Sequence, residues 1–170
     1  MKESNTSLPC PSEDAGEDPV VENVRAALLS AGLADTVVVV PESVATAATA
    51  AAVLGCTVGA IANSLIFECD GAPLLILASG AAKVDVKLVA RVHGLGKIKR
   101  ASPEFVLQHA GQPVGGVAPL GHPRPIYTFL DCDLAQFPVL WAGAGSHQAM
   151  LSMSYGQLLA TTGAKETAVR

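Results

Sequence analysis

The sequence predicts one α+β domain built on a mixed, partly antiparallel sheet, and three observations lead there. Apolar runs rich in Val, Ile and Leu read as strands at 36–40, 64–69, 73–79, 126–131, 138–144 and 147–152. Helical patterns with caps fall between them, but without the regular βαβ alternation of a doubly wound sheet. Asp70-Gly71 separates two of the apolar runs, a strong hairpin signal.

Residues 1–18 combine Ser, Pro, Gly and five acids with almost no apolar content, so this segment is expected to be a disordered acidic tail. A single domain over 19–170 follows. Val20, Val21, Val24, Ala27, Leu28 and Ala31 recur at helical spacing, with Gly32 as a stop. TVVVV (36–40) is a short buried strand closed by Pro41. Ser43 can cap a slim, alanine-rich helix that runs to Leu54 and ends at Gly55. The hairpin SLIFEC–Asp70-Gly71–PLLILAS comes next. Asp85 then caps a helix carrying Val86, Leu88, Val89 and Val92, stopped by Gly94. Ser102-Pro103-Glu104 opens another helix, with Pro at the favoured first position, ending near Ala110-Gly111. Three strands follow a Gly/Pro-rich segment, and a last helix covers Tyr155 to Thr161.

Composition excludes several classes. The chain has 170 residues, half of them hydrophobic, enough for one sizeable core. No apolar run approaches the ~18 residues of a membrane span. The first residues lack a secretory apolar core, so the expectation is a soluble, cytoplasmic protein without a membrane partner. Cys10, Cys56, Cys69 and Cys132 form no CxxC pair and no zinc-ligand spacing, so they read as reduced thiols and no metal is expected. Net charge is −4, unevenly spread: residues 1–70 carry −8 and residues 71–130 carry +5. The basic middle is either the solvated face of two helices and a turn or a footprint for a phosphate backbone.

Three segments could carry chemistry. In QPVGGVAPLGHPRP (112–125), consecutive glycines let backbone N–H groups approach a ligand while prolines stiffen the loop. It is either a structural crossover or a set of preorganised donors for a developing oxyanion. In AGAGSHQAM (142–150), glycines surround His147, which reads as a structural histidine, a hydrogen-bond donor or a proton-transfer group. The third is the polar pair Asn63 and Ser64, at the head of an apolar strand. Neither is a nucleophile without a base, and no GxSxG elbow, P-loop, dinucleotide fingerprint or HExxH is present. Asp131 and Asp133 stand at a strand end and read equally well as turn residues.

In order along the chain, IANSLIFECDG, LILASGAAKVDVKLVARVHG, PVGGVAPLGHPRPIYTFLD and WAGAGSHQAMLSM resemble the YbaK/EbsC family, aminoacyl-tRNA deacylases related to the prolyl-tRNA synthetase editing domain. The match spans about residues 40–162. The resemblance implies a mixed, strongly curved sheet with flanking helices. It also implies hydrolysis, in trans and without a cofactor, of the ester joining a wrong, small amino acid to the 3′ end of a tRNA of the tRNA(Pro) type. By the same resemblance Asn63, Gly116 and His147 would serve the reaction. Ser64, Ser79, Gly115, Pro119, Gly121, His122, Gly145 and Ser146 would shape the substrate pocket. Lys83, Lys87, Arg91, Lys97, Lys99 and Arg100 would meet the tRNA acceptor end, the expected partner together with an aminoacyl-tRNA synthetase. One departure stands out: the family places a lysine where this chain has Asn63, which keeps hydrogen-bonding capacity but loses charge and reach. Lys83 is the substitute cation that the sequence suggests. The alternative implied by Asn63 is a protein that binds aminoacyl-tRNA, an amino acid or a nucleotide without hydrolysis.

Overall fold

A computed structural model of the chain describes residues 18–170. The acidic segment read as a tail therefore lies outside the described residues, except for Asp18, whose carboxylate accepts the Val20 N–H and caps the first helix. That helix, α1 (Pro19–Ser30), buries Val21, Val24 and Leu28. After it come β1 (Val38–Val39), α2 (Ala47–Leu54), a 3-10 turn at Val58–Ala60, β2 (Ile61–Cys69) and β3 (Ala72–Ser79). Then follow α3 (Val86–His93), β4 (Ile98–Arg100), α4 (Pro103–Ala110) and β5 (Tyr127–Asp131). A 3-10 turn at Cys132–Gln136 leads to β6 (Leu140–Gly143), β7 (Ala149–Met153), α5 (Tyr155–Thr162) and β8 (Lys165–Thr167).

Most elements stand where their signals lie. Asp70 (φ 50°) and Gly71 (φ 81°) both take positive φ, as a tight two-residue hairpin requires. Asp85 accepts the Lys87 and Leu88 N–H groups, and Ser102 accepts the Phe105 N–H, so both predicted helix caps are formed. Four expectations are corrected. The strand at 36–40 shrinks to Val38–Val39, both exposed. The helix α2 is capped not by Ser43 but by Thr46, in a capping box with Thr49. The reason is tertiary: the Val44 N–H is tied to the His147 carbonyl and Val44 is buried, which keeps the chain out of the helix as far as Thr46, itself extended. The strand at 64–69 begins three residues earlier, so Asn63 and Ser64 are interior to β2 rather than at its head. His147 precedes β7 and belongs to the turn after β6. Two three-residue strands, β4 and β8, carried no periodic signal.

The strands form one mixed sheet of eight, in the order β1-β7-β6-β2-β3-β5-β8, with β4 added to β2. On one face, Leu75, Leu77, Ala62, Ile66 and Leu130 pack under apolar residues of α1, α4 and α5. The other face is covered in two patches. Ala50 and Ala51 of α2 sit over Ile61 and Met150, while Val89 of α3 packs with Leu74, Ile76 and Phe129. A fully buried leucine such as Leu75 contributes about 1.5–3 kcal/mol through this burial.

Sheet and turn are locked together by one buried carboxylate. Asp131 is completely buried and accepts the N–H groups of Ser79 and Asp133, each at 3.0 Å. Asp133 in turn accepts from Arg170 at 3.3 Å. Ligand atoms of Asp131, Cys132 and Asp133 lie within 4.8 Å of one another, but these bonds account for the two carboxylates as turn residues. Asp131→Ala should lower stability by about 1–3 kcal/mol, because it strands the buried Ser79 N–H. Urea unfolding measures this, and Asp131→Asn, which keeps one acceptor, should lose less.

Candidate functional site

The central strand β2 is paired along its whole length with β3 on one edge. Its other edge is shared: β6 pairs with Ile61 and Ala62, and β4 pairs with Phe67, Glu68 and Cys69. Between them, residues 63–66 have no strand partner on that edge. The Ile61 carbonyl accepts the Gly80 N–H on the β3 side at 2.7 Å. Alternation along the strand therefore turns the N–H and C=O of Ser64 towards the open edge. The Ser64 hydroxyl is also buried without a hydrogen-bond partner among the described residues.

An open cleft of about 590 Å³ lies along this interruption. Its floor is β2 from Ile61 to Phe67, and its walls are residues 44–47 before and within α2, Val106 of α4, Val114, Gly115 and Val117 of the glycine loop, and Arg100 of β4. The side chains are mostly aliphatic. The lining holds no carboxylate and no imidazole, and Arg100 is its one charged residue. Asn63 stands on the floor, half-buried, and its amide makes no hydrogen bond to another described residue.

The β6–β7 turn ties two of these walls together. His147 Nε2 donates to the Val114 carbonyl at 2.7 Å, holding the glycine loop, while the His147 carbonyl accepts the Val44 N–H at 2.6 Å. The Gly145 N–H donates to the Gly116 carbonyl at 2.8 Å. A methyl group on Gly116 would sit 2.9 Å from the Ser146 carbonyl carbon, so the loop can lie this close only without a side chain. Gly115 sits at φ +83°, a left-handed conformation suited to glycine.

The structure thus brings Asn63, Ser64, Gly115 and Arg100 to one cleft, with Gly116 packed directly behind it. His147 is exposed in a turn and lies outside the lining, which corrects its expected position in a pocket strand. The Ser79 hydroxyl donates to the Gly59 carbonyl at 2.8 Å, and the Ser146 hydroxyl accepts the Gln148 N–H at 3.3 Å. Gly145 packs on Val20. Ser79, Gly145, Ser146 and Pro119 are not among the residues that line the cleft. Gly121 and His122 lie instead on a second, smaller cleft beside α1. Lys83 is absent from the lining, and Lys87 and Arg91 are exposed on α3. Residues 97–100, expected in a turn, form the approach to β4 and the strand itself, where Lys99 pairs with Glu68 at 3.4 Å. Residues 44–47 and the place of Arg100 in the lining were not foreseen.

The second cleft contains a titratable group with a structural consequence. Burial pushes the pKa of His122 below its ordinary value, partly opposed by the bond of Nε2 to the Ala118 carbonyl at 2.8 Å. His93 is lowered in the same direction by burial and by Lys165. Both folded-state values lie below the unfolded value of about 6.5, so their contribution is full above that pH and is lost as pH falls through the folded values.

A mixed eight-stranded sheet with a cleft walled by a glycine loop defines a class of fold seen in other proteins. A family model described as an aminoacyl-tRNA editing domain matches residues 41–161. The chain belongs to the aminoacyl-tRNA editing domain family. The uncharacterized protein YwhH of Bacillus subtilis (strain 168) is 33% identical over 117 residues, 68% of this chain and 74% of that protein. A crystal structure of a candidate trans-editing enzyme for prolyl tRNA synthetase is 35% identical with a TM-score of 0.85, covering 91% of this chain and 99% of that one. The structure of hypothetical protein APE2540 superposes with a TM-score of 0.80 at 26% identity, over 86% of this chain and 98% of that one. No helix among the described residues is long and apolar enough to cross a membrane.

Two outcomes follow. Gly116→Ala should cost about 1–3 kcal/mol, the penalty of forcing a methyl into close-packed backbone, and should speed amide exchange across residues 113–118. Between pH 7 and 5 the midpoint of urea unfolding should fall, and His122→Gln should flatten that fall without abolishing the part due to His93.

Proposed function

We propose that the protein is a free-standing aminoacyl-tRNA deacylase, hydrolysing the ester between a small, wrongly attached amino acid and the 3′ end of a tRNA of the tRNA(Pro) type. The observation that carries this reading is the make-up of the cleft. It offers neutral hydrogen-bonding groups and preorganised backbone, with no nucleophile–base pair. An aminoacyl ester is an activated acyl group, so a site that positions it and stabilises the oxyanion suffices to accelerate attack. Water or the neighbouring ribose hydroxyl supplies the attacking oxygen. Gly115 and Val117 bring backbone to one end of the cleft, while the Gly116 N–H is held by the Pro113 carbonyl at 2.9 Å and stiffens the loop behind them. The Asn63 amide can donate to the ester carbonyl or to the ribose. The aliphatic walls of α2 and the glycine loop set the room for the amino-acid side chain. Similarity to the candidate trans-editing enzyme for prolyl tRNA synthetase supports the tRNA(Pro) assignment, and family membership supports the reaction class. On this reading a synthetase is a partner in the same step of translation, and the site of action is the cytoplasm.

A second reading is favoured by Asn63 itself. With a neutral side chain where the family has lysine, the cleft could hold aminoacyl-tRNA without cleaving it. A panel of tRNA(Pro) charged with alanine, serine or cysteine separates the two. Release of amino acid above the buffer rate is the expected result, and binding without release on every member would sink the deacylase reading. Asn63→Ala should lower kcat/KM by about a hundredfold if its amide donates to the developing oxyanion. An unchanged rate would remove Asn63 from the reaction.

A further inference from the structure

Arg100 occupies a position that the charge pattern alone did not single out. It pairs with Phe67 across β4 and β2, and paired residues project to the same face. Phe67 shares its face of β2 with Leu65 and Asn63, so Arg100 stands over the same side of the floor as Asn63, at the opposite end of the cleft from Gly115. Four residue steps along the strand take Asn63 to Phe67, about 13 Å at ~3.3 Å per step. The neighbouring Lys99 lies opposite Glu68, projects to the other face and is neutralised there at 3.4 Å. Arg100 has no acidic partner among the described residues and is exposed at the rim. The cleft therefore runs from a neutral end, with Gly115 and Asn63, to a cationic end. The open edge of β2 at Ser64 lies between them, with a peptide N–H and C=O that no strand among the described residues takes up.

We propose that Arg100 is the anion-binding residue of this cleft, taking the phosphodiester on the 5′ side of the substrate's terminal nucleotide while the ester lies at the Gly115 end. The proposal rests on the deacylase reading and fixes the direction in which the substrate lies. A guanidinium presents a planar fork of donors that matches phosphate oxygens, and its charge-assisted bonds are about twice as strong as neutral ones. The nucleoside then lies along the open edge of β2, where the Ser64 peptide offers an N–H and a C=O that no described strand takes up. Lys83, outside the lining, is not the substitute cation; Arg100 is.

The test compares two substrates of one enzyme: an alanyl ester of adenosine, which has no phosphate, and the same ester at the end of an acceptor-stem RNA. Arg100→Gln should raise KM for the RNA substrate by about tenfold to a hundredfold with kcat unchanged, and leave the nucleoside ester unaffected. Arg100→Lys should recover part of the loss. Equal loss on both substrates, or no loss on the RNA, overturns the proposal. Thermal unfolding of the exposed-site variant checks that it is folded. If the wild-type protein hydrolyses neither ester, the deacylase reading fails, and a binding arm still decides on Arg100. In that arm, adenosine 5′-monophosphate should bind more tightly than adenosine by NMR titration. Arg100→Gln should erase the difference; a difference that persists in the variant, or none in the wild type, overturns the assignment.

Discussion

The site depends on how β2 divides its second edge. A strand in the middle of a sheet normally satisfies its peptide groups on both sides. Here β3 takes one side completely, while β6 and β4 take only the two ends of the other. Both strands run towards the interruption, but β6 turns into β7 after Gly143 and β4 gives way to α4 after Arg100, so neither closes it. The loop before α2, the glycine loop and α4 wall it instead, converting a defect in the hydrogen-bond ladder into a cleft. Backbone geometry, rather than a cluster of reactive side chains, is what this fold offers a substrate.

Rigidity reaches the cleft from the β6–β7 turn. His147 contributes its ring to the glycine loop and its carbonyl to the segment before α2, so both walls are referred to one point. Glycine at position 116 permits the close approach that makes this possible. Of the readings that the sequence leaves open for His147, structural, hydrogen-bonding or proton-transferring, the bonds it makes in the folded chain are those of a bracket.

Much of the fold was legible because its signals are local. The Asp70-Gly71 turn, the Asp85 and Ser102 caps and the Gly94 and Gly111 stops each determine backbone conformation within a few residues, and each stands where it was read. The strands β4 and β8 were not legible: three residues show no period, and IKR and KET are polar enough to pass for loops. Pairing with β2 and β5 makes them strands. The same limit applies to the site. Asn63 and the glycine loop were singled out by residue type, but the lining role of Arg100 follows from its register opposite Phe67, a relation between residues 33 positions apart. Ser43 and Thr46 are equally good caps by chemistry, and only the buried Val44 between them decides where α2 begins.

The lengths of the outer strands carry a consequence of another kind. A sheet that exposes a long, flat border invites another chain to add to it, and such addition is a common route to aggregation. Here the two outermost strands, β1 and β8, are two and three residues long. Lys165 and Glu166 add charge to one of them. The interrupted edge of β2 lies inside the sheet, walled by loops and a helix. The protein can therefore keep peptide groups available to a small ligand while denying them to another copy of itself.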